Sequence, residues 1–161
     1  MSSRRLHYKD RYRSRAFTLL ELMTTLTICG LLAGVAVPAY RQFLGHQKEQ
    51  AAARDLMLIA MKIQSAYEKD FRYPASLDDI GMAGMRDPWG NPYRYLSFDS
   101  DIPGIKGQIR KDHNLHPINS SFDLYSMGPD GDSKSPLTAK ASRDDILWAR
   151  DGAFIGPASD F

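Results

Sequence analysis

The sequence predicts an α+β fold, in which one long N-terminal helix packs through its second half on a small antiparallel β-sheet. Three observations lead there. Residues 17–39, FTLLELMTTLTICGLLAGVAVPA, form an apolar run with a single ionisable residue, Glu21. Downstream, Leu56, Ile59, Ala60, Ile63, Ala66 and Tyr67 recur at three- and four-residue intervals, the spacing of one apolar helix face. Beyond Pro74, short apolar segments alternate with glycine, proline and asparagine turns, the pattern of short strands. With 161 residues, 43% of them hydrophobic, the chain has room for one compact core plus an extended anchor, and hardly for two cores.

Taken in order, residues 1–16 read as a basic leader. Arg4, Arg5, Lys9, Arg11, Arg13 and Arg15 precede Phe17, opposed only by Asp10. Removing these from the chain's 21 basic and 19 acidic residues leaves the remainder at net −3, so the overall charge of +2 does not describe a nucleic-acid surface. Residues 17–39 would reach about 35 Å as a helix at roughly 1.5 Å per residue. That spans a bilayer core of about 30 Å. The basic cluster before the span, unmatched after it, predicts that the N-terminus stays in the cytoplasm and the C-terminal domain crosses the membrane. A cleaved secretory signal would have a shorter apolar stretch, ended by a small-residue cleavage site.

Residues 40–73 continue as an amphipathic helix, with Pro38 and Gly45 as points of bending and an end near Tyr73-Pro74. Residues 74–161 hold a connecting loop, the sheet and a C-terminal loop. Leu77 to Ile80 reads as one helical turn. Asp87-Pro88-Trp89-Gly90-Asn91-Pro92-Tyr93 reads as a tight turn leading to a strand at Tyr93 to Leu96, with a second strand at Phe122 to Ser126. Between the strands, Asp99 to Ser121 reads as a polar hairpin connection containing Ile102-Pro103-Gly104. Cys29 has no second cysteine to pair with, so this domain is held by its core or by a metal.

The string Ala16-Phe17-Thr18-Leu19-Leu20-Glu21-Leu22-Met23 resembles the signal of type IV pilins and type II secretion pseudopilins. The resemblance implies a pilin-like fold and cleavage by prepilin peptidase between Ala16 and Phe17, where the family usually has glycine before the cut. It implies N-methylation of Phe17. It also gives Glu21, at the fifth mature position, the role of pairing with the N-terminal amine of a neighbouring subunit during assembly. Physically, a carboxylate in an apolar span is costly unless it is paired or reaches water, which makes Glu21 a functional candidate in its own right.

A second likeness lies downstream. Asp87 to Tyr93, the run Asp123-Leu124-Tyr125-Ser126-Met127-Gly128-Pro129-Asp130-Gly131, and Asp144-Asp145-Ile146 together resemble the major pseudopilin of type II secretion. Two departures are visible: a shorter stretch from Tyr73 to Asp87 and a longer one from Gly131 to Asp144. That resemblance implies a Ca2+ site, with Asp130, Asp144 and Asp145 giving side-chain oxygens and Met127 and Asp132 giving backbone carbonyls. Ca2+ takes six to eight such oxygens. The bland alternative is a solvated acidic loop. As an EF-hand the loop fails, since Ser135 stands where the glycine and Ala141 where the glutamate would be, counting from Asp130.

Other motifs carry less. His113-x-x-His116 lacks a third metal ligand, Asn119-Ser120-Ser121 matches a glycosylation acceptor, and Met57, Met61, Met82 and Met85 read as adaptable core or interface packing. No phosphate-binding loop and no nucleophile–base set is present, so an enzyme is not indicated. The expected function is that of a structural pseudopilin, polymerising through its helix into a periplasmic pseudopilus. Its expected partners are copies of itself, prepilin peptidase, an inner-membrane assembly platform and minor pseudopilins. The alternatives are a type IV pilin for adhesion, motility or DNA uptake, and a single-span periplasmic binding module.

Overall fold

The computed structural model of the chain describes residues 17–99 and 103–161. The leader, Ala16 and Ile102 lie outside them. The chain divides into two units, Met1–Arg41 and Gln42–Phe161, which are taken separately. The architecture is α+β and pilin-like: helix α1 (Leu19–Asp70), strands β1 (Arg94–Ser97), β2 (Phe122–Ser126), β3 (Ile146–Ala149) and β4 (Phe154–Pro157), and a short helix α2 (Ile105–Gln108).

In the first unit, the described residues are helical from Leu19 onward and all exposed. The helix runs through Pro38 without interruption. It is long and apolar enough to cross a membrane, with a mean hydropathy of 1.9 over its best window. Three of its threonine hydroxyls are satisfied locally. Thr24 and Thr25 donate their hydroxyls to the Glu21 carbonyl at 3.0 Å, and Thr27 donates to that of Met23 at 2.8 Å. Internal pairing of this kind lets hydroxyls tolerate an apolar surrounding.

In the second unit, α1 contributes Ala52, Leu56, Ile59, Ala60 and Ile63, all buried, at the spacing the sequence predicts. Ala66 and Tyr67 are half-buried, at the end of the stripe. Met82 and Met85 pack on this core, whereas Met57 and Met61 are exposed and do not belong to it. The helix ends at Asp70, earlier than Tyr73-Pro74, because Phe71 turns into the left-handed region at φ 53° while its N–H still reaches the Tyr67 carbonyl at 2.7 Å. Leu77 to Ile80 forms a turn and not a helix. Gly81 at φ 70° closes it, with Gly81 N–H on the Asp78 carbonyl and Met82 N–H on that of Leu77. These are the two bonds of a Schellman end without a helix before it.

The four strands form an antiparallel meander in the order β1-β2-β3-β4. Alternation sorts their side chains. Phe122, Leu124 and Ile146 face the α1 stripe, with Leu77 and Tyr93 completing that core. Tyr93 also donates its hydroxyl to Asp55 of α1 at 2.8 Å, and burial together with that carboxylate pushes its pKa up. Leu147 and Ala149 point to the opposite face, where Ile118, Leu137 and Ala158 cover them. This second layer is mostly coil. It also buries charge: Arg110, Asp123 and Asp145 are each 1% exposed or less.

Two of the four strands were legible in the sequence, β1 with a shift of one residue and β2 with the expected bounds. β3 is only four residues long, and β4, Phe-Ile-Gly-Pro, ends in two residues that strands usually avoid. The connection between β1 and β2 contains α2, which the expected coil did not include.

Candidate functional site

At its start, α1 shows why Thr18 and Glu21 stand three residues apart. The Thr18 hydroxyl accepts the Glu21 backbone N–H at 3.2 Å, which is one half of a capping box. Thr18 therefore fixes where the helix begins, so Glu21 lies within the first turn. Its carboxylate is exposed and has no hydrogen-bond or ion-pair partner among the described residues. Phe17, immediately before the cap, is 79% exposed. What this segment offers is one unpaired negative charge on a fully exposed apolar helix.

The two C-terminal motifs singled out in the sequence meet in space. Asp87 is 5% exposed and folds its own turn, its Oδ1 accepting the N–H groups of Trp89 at 3.0 Å and Asn91 at 2.8 Å. Its Oδ2 accepts the Ser126 hydroxyl at 2.5 Å. Asn91 then donates its side-chain amide to the Gly128 carbonyl at 2.8 Å. The Asp-Pro-Trp-Gly-Asn-Pro-Tyr turn is thereby latched onto the end of β2.

Of the residues expected to hold Ca2+, Asp130 and Asp144 are neighbours: the Asp130 N–H points at Asp144 Oδ2 at 3.3 Å. Asp130 is otherwise turned to its own loop, its Oδ1 accepting the Asp132 N–H at 2.9 Å. Asp132 is exposed and accepts the Ser133 N–H. Met127 is buried, with its sulfur receiving Arg94 Nε at 3.3 Å. Asp145 is fully buried and paired, its Oδ2 bonded to Arg110 Nη2 and to the Ser133 hydroxyl at 2.6 Å. Its Oδ1 has no partner, which leaves this side chain one oxygen for an ion that wants six to eight. Among the described residues no group of three or more His, Cys, Asp or Glu side chains is placed to hold a metal. As arranged, these residues do not fit a Ca2+ site.

Instead, the site centres on Arg110, which the sequence offered only as one cation in a polar connection. Its Nη1 bonds to Ser133 Oγ and, at 3.1 Å, to the Lys134 carbonyl, and its guanidinium lies 4.2 Å from the Tyr125 ring centroid. Its backbone N–H donates to Asp123 Oδ2 at 2.6 Å. Burial pushes the Asp123 carboxyl up to about 6, against the pull of the Arg110 and Asn119 hydrogen bonds. Burial raises Asp145 as well, with Arg110 and Ser133 pulling the other way. No periodicity or motif marks Arg110.

Two weaker candidates are settled by burial. His113 and His116 are exposed. Asn119 is 6% exposed, donating to Asp123 and the Trp148 carbonyl and accepting from Asp151 N–H, so its amide is not presented for glycosylation.

Comparison with known proteins finds likeness at the N-terminus and along most of the chain. The family described as prokaryotic N-terminal methylation motif matches residues 11–37. Type II secretion system core protein G of Pseudomonas aeruginosa is 29% identical over 143 residues, covering 76% of this chain and 88% of the relative. The protein of the same name from Aeromonas hydrophila is 29% identical over 142 residues, covering 75% and 87%. Type IV major pilin protein PilA of Myxococcus xanthus is 35% identical over 83 residues, which cover 52% of this chain and only 36% of that pilin. No solved structure matches significantly. The chain carries a match to the N-terminal methylation motif of prokaryotic proteins at the start of α1, and over most of its length it is similar to type II secretion core proteins G.

Proposed function

We propose that this chain is a structural subunit of a type II secretion pseudopilus and not an enzyme. Prepilin peptidase removes the leader between Ala16 and Phe17, and the new terminus is methylated. The apolar half of α1 holds the subunit in the inner membrane, N-terminus inward and C-terminal domain in the periplasm, until subunits stack into a filament with the help of an assembly platform and minor pseudopilins. The observation that carries this reading is the Glu21 carboxylate, without a partner among the described residues, inside the matched methylation motif and on the first part of α1, where every described residue up to Arg41 is exposed. A carboxylate within an apolar span is costly unless it is paired, and Glu21, in the first turn of α1, has no partner among the described residues. The N-terminal amine of a neighbouring subunit, meeting Glu21 at the fifth position of the mature chain, removes that cost only in the assembled state.

A type IV pilin is the second reading, supported by the likeness to the Myxococcus pilin. The first is favoured because the likeness to core protein G runs through most of the chain. Replacing Glu21 with Ala tests the assembly role. The expected result is a processed, membrane-inserted protein that forms few or no filaments by electron microscopy of sheared fractions. Filaments at the wild-type level from this variant remove the pairing role.

A further inference from the structure

We propose that the Arg110 guanidinium is the fixed cation of the C-terminal loop, standing where a divalent metal was expected, so that the fold of this domain is independent of calcium. The argument is one of geometry. Arg110 is 1% exposed and is the largest of the fully buried side chains. Through separate atoms it joins three segments: Asp123 and Tyr125 of β2, Ser133 and Lys134 of the long loop, and Asp145 at the entry to β3. A planar guanidinium suits this work because its donors point in fixed directions and its face can lie on an aromatic ring.

The loop it closes is the one from Gly131 to Asp144, noted above as longer than in the major pseudopilin. Asp144 and Asp145 are adjacent and diverge. Asp144 is half-exposed and faces Asp130, whereas Asp145 turns inward to the arginine. A divalent ion taking Asp145 would have to displace a cation already desolvated and bonded on both limbs. With Arg110 in place, two positive charges would compete for one carboxylate in a buried setting, where screening is weak.

The inference stands on the C-terminal unit alone and is separable from the filament reading. Full-length protein in detergent micelles is unfolded thermally, followed by the fluorescence of Trp89 and Trp148, in excess chelator and in millimolar calcium. The expected midpoint is the same in both. Arg110→Met leaves the Asp145 carboxylate buried and unpaired, and is expected to lower the midpoint by about 10 °C or more. Should that variant fail to fold, Arg110→Lys decides: it keeps the charge, loses the fork and is expected to melt below wild type. Combining Arg110→Met with Asp145→Leu removes both charges and is expected to recover part of the loss. A wild-type midpoint that rises with calcium, or an Arg110→Lys protein as stable as wild type, overturns the proposal.

Discussion

Gly128 ought to be the least replaceable glycine in the C-terminal domain, and the structure says by how much. It adopts φ +64°, and a Cβ built on it would lie 2.2 Å from the Asp144 carbonyl oxygen and 2.8 Å from the Asp144 carbonyl carbon. Both are backbone atoms, which no rotamer change can move aside. The same residue is fixed from two other sides, since its N–H donates to the Ser126 hydroxyl at 3.1 Å and its carbonyl accepts from Asn91. Two costs therefore add in Gly128→Ala. Holding an L-residue in the left-handed region costs about 1–2 kcal/mol. Forcing a methyl group into a filled space costs about 1–3 kcal/mol more. Gly81 separates them, because its φ is +70° and nothing lies within 4 Å of its Cβ position. Gly81→Ala should lose only the conformational part. Against a typical domain stability of about 5–15 kcal/mol, the Gly128 variant should lose about 2–5 kcal/mol, and the difference is measurable as a lower thermal midpoint of the full chain in detergent. Equal midpoints for the two variants would refute the close approach of Gly128 to Asp144.

Asp123 should make the domain less stable as pH rises through mild acidity, the reverse of the usual carboxylate. Its folded pKa of about 6 lies above the ordinary 3.8, so the folded state binds the proton more tightly, and its contribution falls from about pH 4 to about pH 6 by about 3 kcal/mol. Asp123→Asn keeps an acceptor for the Arg110 N–H and should flatten that slope; identical pH profiles of the thermal midpoint for variant and wild type would contradict the assignment. Leu56, fully buried on α1, should cost about 2–5 kcal/mol as Leu56→Ala, while the half-exposed Met57, one residue on, should tolerate alanine within about 0.5 kcal/mol, both read by chemical denaturation. Equal losses at the two positions would mean that the helix buries a different face.

Much of this fold is written in periodicity. The stripe from Leu56 to Ile63 gives the packing face of α1 directly, whereas its start, expected at Phe17, falls at Leu19 because the Thr18 hydroxyl accepts the Glu21 N–H. Phe122 to Ser126 is readable because it alternates. β4 is not, because glycine and proline hide a strand whose existence depends on pairing with β3. The C-terminal site was legible in its turns and illegible in its charges. Asp87 folds its own turn through the Trp89 and Asn91 N–H groups, which is local chemistry, whereas the Asn91–Gly128 bond joins segments 37 residues apart. Asp145 looked like Asp144, yet one faces solvent and the other a buried arginine 35 residues away. Nothing local distinguishes two adjacent aspartates whose partners lie on other segments, and Arg110 sits in a polar run that reads as solvent-exposed coil.

The measurement that bears most directly on the central claim is the mass of the N-terminal peptide from protein extracted from membranes of cells with active prepilin peptidase. The match to the N-terminal methylation motif, together with the proposed function, predicts a peptide beginning at Phe17 and carrying one added methyl group. A peptide that retains residues 1–16 in those cells would contradict it.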